Sequence, residues 1–312
     1  MRAVVIGAGL SGLVAAHRLI DAGHEVVVLD KGAVPGGRLS TRRVGTGVLD
    51  AGAQFFTVRS ETFAAMVDPW LRSGLAYEWT RGFGDPPDGY PRYAIRGGMA
   101  ALGAHLAGGL DVRLDTMCFA VRRAGARWDV GIDDGTAVPA DALVVTCPVV
   151  QSASLVITAD VEVPEPLRRL DYHRTIALLA ELDGPGSVPE PGGVQDADAV
   201  FSFVADNQRK GLSTAPALTL HVNAEESLVH WDDPADELRA WLLDAAAPWF
   251  GAAGVLDAQV KRWRFAGPQT CWPEPYWTPA AGPPLAFAGD AFAGPKVEGA
   301  AMSGLAAGTA LA

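Results

Sequence analysis

The sequence predicts an α/β fold, a Rossmann-type dinucleotide-binding domain carrying a smaller α+β domain, on three observations. Ala3-Val4-Val5-Ile6 is a β-branched run that stops at Gly7. From Leu10, apolar positions recur at helical spacing through Leu13, Val14 and Leu19 before Gly23. A second buried-type run, Glu25-Val26-Val27-Val28-Leu29, then ends in Asp30. Strand, tight turn, helix and strand thus follow one another over about thirty residues, the length of one parallel βαβ unit with its right-handed crossover.

After this unit the chain is rich in Gly and Arg from Gly32 to Gly52, helical from Glu61 to Leu75 and turn-dense around Gly82–Pro91. Gly97-Gly98-Met99 leads into a helix to about Leu106. Strands are expected at Val112–Leu114, Met117–Arg123, Trp128–Ile132 and Leu143–Cys147, with Asp133-Asp134-Gly135 as a hairpin turn. Further strands at Thr175–Glu181, Val200–Val204 and Ala217–Asn223 precede an amphipathic helix from Pro234 to roughly Pro248. Lys261–Ala266 and Leu285–Gly289 read as strands, and Val297–Leu311 as a closing helix of small residues. The 312 residues have room for two domains at about 100–200 residues each. The expected division is a discontinuous nucleotide-binding domain of residues 1–57, 95–150 and 255–312, and a substrate domain of 58–94 and 151–254.

A net charge of −11 argues against nucleic acid or an anionic membrane as partner, since either requires a basic stripe to displace counterions. The three cysteines, Cys118, Cys147 and Cys271, form no CxxC pair, which argues against a disulfide framework, a structural zinc site or a dithiol centre, and no metal is expected. The apolar run before Gly7 is too short for a signal peptide or membrane span, and Ser11, Gly12, His17 and Arg18 interrupt the run from Leu10 to Ile20. A soluble protein of the reducing cytoplasm is the expectation.

Gly7-Ala8-Gly9-Leu10-Ser11-Gly12 satisfies GxGxxG where the first strand gives way to the helix. Gly7 makes the sharp turn, Gly9 lets a pyrophosphate approach the backbone, and Gly12 lets the helix pack on the sheet. The helix amides and dipole then face the phosphates. Taken alone the pattern is also that of an ordinary turn; its placement between the two strands favours the dinucleotide. Asp30 stands where a carboxylate accepts from ribose hydroxyls, and it would repel a 2′-phosphate, which points to FAD or NAD rather than NADP. A solvated turn residue is the plain alternative. FAD is favoured by Pro35-Gly36-Gly37-Arg38, which is similar to the GG-containing extension of flavoprotein oxidases, taken with Asp30-Lys31 and Asp50-Ala51-Gly52-Ala53-Gln54-Phe55-Phe56-Thr57.

These pieces, with Gly97–Leu102, Thr146-Cys147-Pro148, Trp263-Arg264-Phe265-Ala266, Gly289-Asp290 and Val297–Ala300, make the chain resemble bacterial renalase-like flavoproteins of the amine-oxidase superfamily over nearly its whole length. The resemblance implies the two-domain architecture shared by amine oxidases and p-hydroxybenzoate hydroxylase, with FAD held non-covalently. It implies FAD contacts from Gly7, Gly9, Leu10, Ser11, Gly12, Asp30, Lys31, Gly37, Arg38, Leu39, Cys147 and Pro148. It further implies that Ala53, Gln54 and Phe55 lie beside the isoalloxazine, that Met117 and Cys118 bring a backbone edge near the adenine, and that Gly289 and Asp290 bind ribityl or phosphate oxygens. Glu298, Gly299 and Ala300, at the start of the last helix, would face the flavin N1–O2 edge, where oriented amides stabilise the negative charge of reduced flavin. The chain departs from the family pattern at Phe55, where relatives often carry Tyr, and over Ala291–Lys296.

Hydride transfer to flavin N5 needs a positioned donor and excluded water more than an acid or base, and no triad is visible. The candidates for the substrate cavity are Asn207, Lys210, His221 and Trp263. A strand histidine satisfied by a neighbour and a solvated loop lysine are the plain alternatives for His221 and Lys210. Trp263, Trp272, Tyr276 and Trp277 are cavity walls or core fillers. The resemblance implies oxidation of a dihydro-NAD(P) isomer, a reduced pyridine nucleotide, to NAD(P)+, with O2 giving hydrogen peroxide. An FAD-dependent amine oxidase or desaturase of the same superfamily is the alternative, and a flavin-binding regulator without turnover is another of a different class. Residue spacing by itself reaches FAD-linked redox chemistry.

Overall fold

The structure is a computed structural model that describes residues 1–84, 86–292 and 294–312. Asp85, in the turn-dense stretch around Gly82–Pro91, and Ala293, in the segment between Asp290 and Val297, lie outside the described residues. The chain begins β1 (Arg2–Ile6), α1 (Leu10–Asp21), β2 (Glu25–Leu29), β3 (Thr41–Val44), β4 (Gly47–Asp50) and α2 (Glu61–Arg72). It continues through β5 (Ala76–Thr80), β6 (Arg92–Ile95), α3 (Met99–Ala107), β7 (Asp111–Arg113), β8 (Cys118–Ala124), β9 (Arg127–Ile132), β10 (Ala137–Ala140) and β11 (Ala142–Val145). Then come α4 (Val149–Leu155), α5 (Glu165–Arg168), β12 (Tyr172–Leu182), β13 (Gly193–Gln195), β14 (Phe201–Asp206) and β15 (Ala217–Val222). The last elements are α6 (Ala224–Val229), α7 (Ala235–Phe250), β16 (Val255–Pro268), β17 (Leu285–Phe287) and α8 (Lys296–Ala310).

Contacts divide the chain into two units, residues 1–38, 102–172 and 267–312, and residues 39–101 and 173–266. In the first, a parallel sheet has the order β17-β11-β1-β2-β7. Its central strands are buried on both faces, so they read as continuous β-branched runs rather than alternating ones. Ile6 is in register with Leu29 and Val145, so Gly7, Asp30 and Thr146 leave the sheet at one carboxyl edge, where open α/β sheets bind ligands. A separate antiparallel sheet, β10-β9-β8, turns at 133–135 as the sequence predicts.

Helix α8 packs against α1 through glycine. A Cβ on Gly304 would lie 2.1 Å from the Ser11 carbonyl oxygen, and one on Gly308 2.9 Å from that of Ala15. Since backbone must move to admit it, Gly304→Ala is expected to lose about 1–3 kcal/mol of unfolding free energy in a denaturant titration.

In the second unit the sheet order is β13-β14-β15-β12-β16. One face, with Ile176, Leu178, Ala180, Leu218 and Leu220, packs on Leu238, Leu242, Ala246 and Phe250 of α7. The opposite face presents Leu179 and Ala217 to Val44, Leu49 and Ala51 of the β3–β4 hairpin. That packing accounts for a difference from the boundaries expected from sequence, which group 39–57, 95–101 and 255–266 with the nucleotide-binding domain. Hydrogen bonds join the hairpin to the same sheet, from the Thr46 amide to Glu181 (2.9 Å) and from the Val48 amide to Ser213 (3.2 Å). Conversely, residues 151–172 belong with the first unit, where the Val149 amide donates to the Tyr172 hydroxyl (3.1 Å). Helix α7 runs past Pro248 to Phe250, since a proline in the last turn forfeits little of the hydrogen-bond ladder. Among the described residues no helix is long and apolar enough to cross a membrane.

Candidate functional site

At the carboxyl edge of the parallel sheet the chain builds a seat from backbone. Gly7 takes φ +110°, a region that favours glycine, and a Cβ there would meet Thr146 Oγ1 at 2.5 Å. A Cβ on Gly12 would sit 1.9 Å from the Gly7 carbonyl oxygen, so this glycine is required for α1 to start so close to β1. Gly9, the N-cap of α1, is different: a Cβ there meets nothing within 4 Å. In the first turn of the helix, Ser11 is buried and its Oγ has no hydrogen-bond partner, while Leu10 packs in the core. An open approach at Gly9, an unpartnered hydroxyl beside it and free helix amides are what a dinucleotide diphosphate requires, so these residues fit the group.

The rest of the first unit braces this seat. Asp30 accepts the Ala8 amide (2.6 Å) with one carboxylate oxygen and the Gly32 amide (2.6 Å) with the other, leaving lone pairs on both. Lys31 is exposed beside it. The Gly36 amide donates to the Ala8 carbonyl (2.7 Å), which places Gly37, at φ +59°, over Gly9. Arg38 forms a two-pronged pair with Asp290 at 2.5 and 2.6 Å, and the neighbouring Gly289 amide donates to Ser303 Oγ (2.9 Å). Thr146, which the sequence places in a family motif but not in a role, donates to the Ile6 (3.1 Å) and Gly7 (3.2 Å) carbonyls.

Cys118 and Cys147 are drawn together on this side of the sheet. Burial pushes each thiol up to about 12; Cys147, Asp133 and Asp30 add to the shift of Cys118, and Asp30 to that of Cys147. Pro148 is the N-cap of α4. Met117 is exposed, and both its main-chain groups are paired with Asp133, its amide to the carboxylate (3.3 Å) and its carbonyl to the amide (3.0 Å). Helix α8 begins at Lys296, so Gly299 and Ala300 lie a turn inside it behind Glu298, and a Cβ on Gly299 would fall 1.8 Å from the Gly294 carbonyl oxygen. Trp272, Tyr276 and Trp277 line a cavity of about 510 Å³ in the first unit, whereas Trp263 belongs to the second.

In the second unit a fully buried Asp50 is the hub, a residue that the sequence places in a motif without a task. Its carboxylate accepts from Thr41 Oγ1 (2.6 Å), the Met99 amide (2.7 Å) and Lys210 Nζ (2.6 Å). Its carbonyl accepts from Gln54 Nε2 (2.6 Å) and Thr219 Oγ1 (3.0 Å). Gly98 follows from this arrangement, because a Cβ there would strike Thr41 at 2.3 Å. Lys210 is not a solvated loop charge: its side chain is fully buried, with the ammonium also 5.1 Å from the Trp79 ring centroid.

The other cavity candidates converge on the turn after Asp50. Asn207 is fully buried; its Oδ1 accepts the Asp50 amide (3.3 Å) and its Nδ2 donates to Thr219 Oγ1 (3.0 Å) and the Ala217 carbonyl (3.3 Å), so it braces rather than walls a cavity. His221 Nε2 (3.2 Å) and Trp263 Nε1 (2.9 Å) both reach the Ala51 carbonyl. Leu39 is buried, Ala53 half-buried, and Gln54 Oε1 is buried without a partner. Phe55 enters an aromatic group with Trp79 (6.3 Å) and Phe83 (5.3 Å), four residues apart, and with the distant Phe203 (5.8 Å). Among the described residues no cluster of His, Cys, Asp and Glu is arranged to hold a metal ion.

Burial lowers the His221 pKa from 6.5 to about 4, the Lys210 charge adding to the fall and the Ala51 bond and Asp50 opposing it. The imidazole is therefore neutral at neutral pH. As pH falls from 6.5 towards 4 the unfolded chain takes up a proton that the folded one refuses, so stability drops by at most about 3 kcal/mol and no further below that window. His221→Gln should lack this part of the decline when urea unfolding is compared at pH 7 and pH 4.5.

A family profile described as flavin containing amine oxidoreductase matches residues 59–312, and one described as NAD(P)-binding Rossmann-like domain matches residues 5–70. Hydroxyneurosporene desaturase of Rubrivivax gelatinosus is 42% identical over 67 residues, 20% of this chain and 13% of the desaturase. The L-amino-acid oxidase of Daboia russelii is 55% identical over 40 residues, 13% of this chain and 8% of the oxidase. The chain thus aligns with only a small part of these relatives' lengths. Cyclohexylamine oxidase from Brevibacterium oxydans IH-35A superposes with a TM-score of 0.75 at 15% identity, covering 99% of this chain and 98% of that one, a likeness of fold.

Proposed function

Because the chain belongs to the family of flavin containing amine oxidoreductases, we propose that it is a renalase-like FAD-dependent oxidase that converts a dihydro-NAD(P) isomer to NAD(P)+. Bound FAD supplies a two-electron acceptor at N5 that O2 regenerates, releasing hydrogen peroxide. The first unit is the FAD-binding one in this reading and the second the substrate one. Gly7, Gly9, Leu10, Ser11 and Gly12 receive the diphosphate, with Gly37, Arg38, Gly289 and Asp290 around it. Asp30 accepts from the adenosine ribose, and Met117, Cys118, Cys147 and Pro148 line the adenosine end. Ala53, Gln54 and Phe55 lie beside the isoalloxazine, where the unpartnered Gln54 Oε1 offers an acceptor. Glu298, Gly299 and Ala300 approach its pyrimidine edge.

The observation that carries the choice of donor is that the two ionisable side chains in direct contact with Asp50 and Ala51, Lys210 and His221, are already engaged. Lys210 is paired with Asp50, and His221 is neutral and bonded to the Ala51 carbonyl. An alkylammonium must lose a proton before it gives up hydride, which calls for a free base. A dihydropyridine gives hydride directly and leaves as an aromatic cation, so it asks only to be positioned and kept from water. His221 and Trp263 serve this by fixing the turn, and Phe55, Trp79, Phe83 and Phe203 provide apolar ring faces.

The test is anaerobic stopped-flow mixing of the purified yellow protein with the 2-dihydro and 6-dihydro isomers of NADH, ordinary NADH and a panel of amines. Flavin bleaching fastest with the isomers is expected. Faster bleaching by amines would replace this reading with amine oxidation, and no bleaching by any donor would leave a flavin-binding regulator.

A further inference from the structure

The protein carries 36 acidic against 25 basic residues, yet strands β3 and β16, tied by a hydrogen bond from Gln259 to the Arg43 carbonyl, carry the cations Arg42 and Lys261. Lys261 and Trp263 are two residues apart on the strand and share a face, and the Lys261 ammonium lies 4.8 Å from the Trp263 ring centroid. The charged neighbour that Lys261 feels is the Arg42 guanidinium, which, after burial, holds the lysine below the usual range. Among the described residues neither Lys261 nor Arg42 takes part in an ion pair. The hairpin strand β3, which carries Arg42, is tied to β16 by a bond from Gln259 Nε2 to the Arg43 carbonyl (3.3 Å). Trp263 in turn holds the Ala51 carbonyl at the start of the turn described above.

An exposed arginine whose charge bears on a half-buried lysine makes a locally positive place that an anion joining the two would relieve. We infer that Lys261 and Arg42, beside the Trp263 indole, form an anion subsite for the diphosphate of the pyridine dinucleotide substrate. The inference rests on the dihydropyridine reading for the identity of that ligand. A diphosphate suits the pair better than a lone carboxylate because its charges are spread over two phosphoryl groups, one for each cation. The subsite would hold the adenylate side of the substrate while the reacting ring is positioned elsewhere, binding energy remote from the chemistry.

The test uses the flavin-loaded protein and ADP-ribose, which has the diphosphate but no redox ring, titrated by calorimetry. Lys261→Ala and Arg42→Ala should each weaken ADP-ribose by about ten-fold, the loss of one charge-assisted contact. Arg168→Ala, an exposed cation of α5, controls for net charge and should bind like the parent. Flavin content and melting temperature certify that each variant is folded, and Lys261→Glu, which should abolish binding, is the second variant at that position. No binding of ADP-ribose by the parent, or equal binding by all variants, overturns the subsite. Binding of an L-amino acid that the same substitutions abolish, with none of ADP-ribose, overturns its assignment to diphosphate. Should ADP-ribose behave as expected while dihydropyridine isomers fail to bleach the flavin, the subsite stands and the proposed reaction falls.

Discussion

Gly9→Val should give a folded, soluble and colourless protein. At φ −74° and ψ 174° the Gly9 backbone is one any L-residue adopts, and a Cβ there touches nothing within 4 Å. A branched side chain therefore costs the folded chain little, but it fills the space through which a diphosphate must approach the α1 amides, and FAD affinity should fall by at least about 100-fold, the scale of several lost charge-assisted contacts. Gly12→Val is the contrast within the same motif. Its Cβ falls 1.9 Å from the Gly7 carbonyl oxygen, so it should damage folding first and colour only as a consequence. The flavin-to-protein absorbance ratio and a thermal melt, measured on both variants, separate a ligand glycine from a packing glycine. A fully yellow Gly9→Val protein of normal stability would move the diphosphate away from this turn.

What can be read from sequence and what cannot divide along the range of the interactions. The β1-α1-β2 unit rests on neighbours: Val4, Val5, Val27 and Val28 are buried on both sheet faces, and the glycines meet the turn within a few residues. The β3–β4 hairpin has no such signature, because Arg42 and Arg43 are exposed in sequence with Thr41 and Val44, and its place is set by Leu179 and Ala217, far along the chain. Asp50 carries no visible task for the same reason, its counter-ion being Lys210, 160 residues away. For Lys210 the sequence leaves a substrate contact and a solvated loop charge both open, and only the fold shows it turning inward beneath Trp79. Asn207 reads as a substrate wall, and His221 as either a substrate contact or a strand histidine satisfied by a neighbour; their polar atoms hold the backbone of Asp50 and Ala51, a role that needs the partner's position to be known. A buried polar residue announces that it has a partner, but the sequence does not say whether that partner is substrate or main chain.

Lys210→Met should be among the most destabilising single substitutions in the second unit, at about 3–5 kcal/mol. The Lys210 and Asp50 side chains have no solvent exposure, and removing the ammonium leaves a carboxylate in the interior with Thr41 Oγ1 and the Met99 amide as its donors. Asp50→Asn should cost about as much, because it strands the ammonium against the Trp79 ring, where a ring face offers less than a carboxylate. The double variant Asp50→Asn/Lys210→Met carries neither charge: the introduced carboxamide oxygen can still accept from the Met99 amide and Thr41 Oγ1, and a methionine fills most of the lysine's volume. Part of the loss should then be recovered, with a coupling of about 1–3 kcal/mol in a double-mutant cycle from urea unfolding. Single variants that lose less than about 1 kcal/mol would mean that the pair is solvated in solution. The same cycle read through the flavin spectrum asks a second question, since Asp50 immediately precedes the Ala51–Phe55 turn and its carbonyl holds Gln54 and Thr219. If the pair acts by positioning that turn, the double variant should recover stability before it recovers the parent's visible absorption, because neutral side chains restore packing while the three-way anchoring of the carboxylate is still missing.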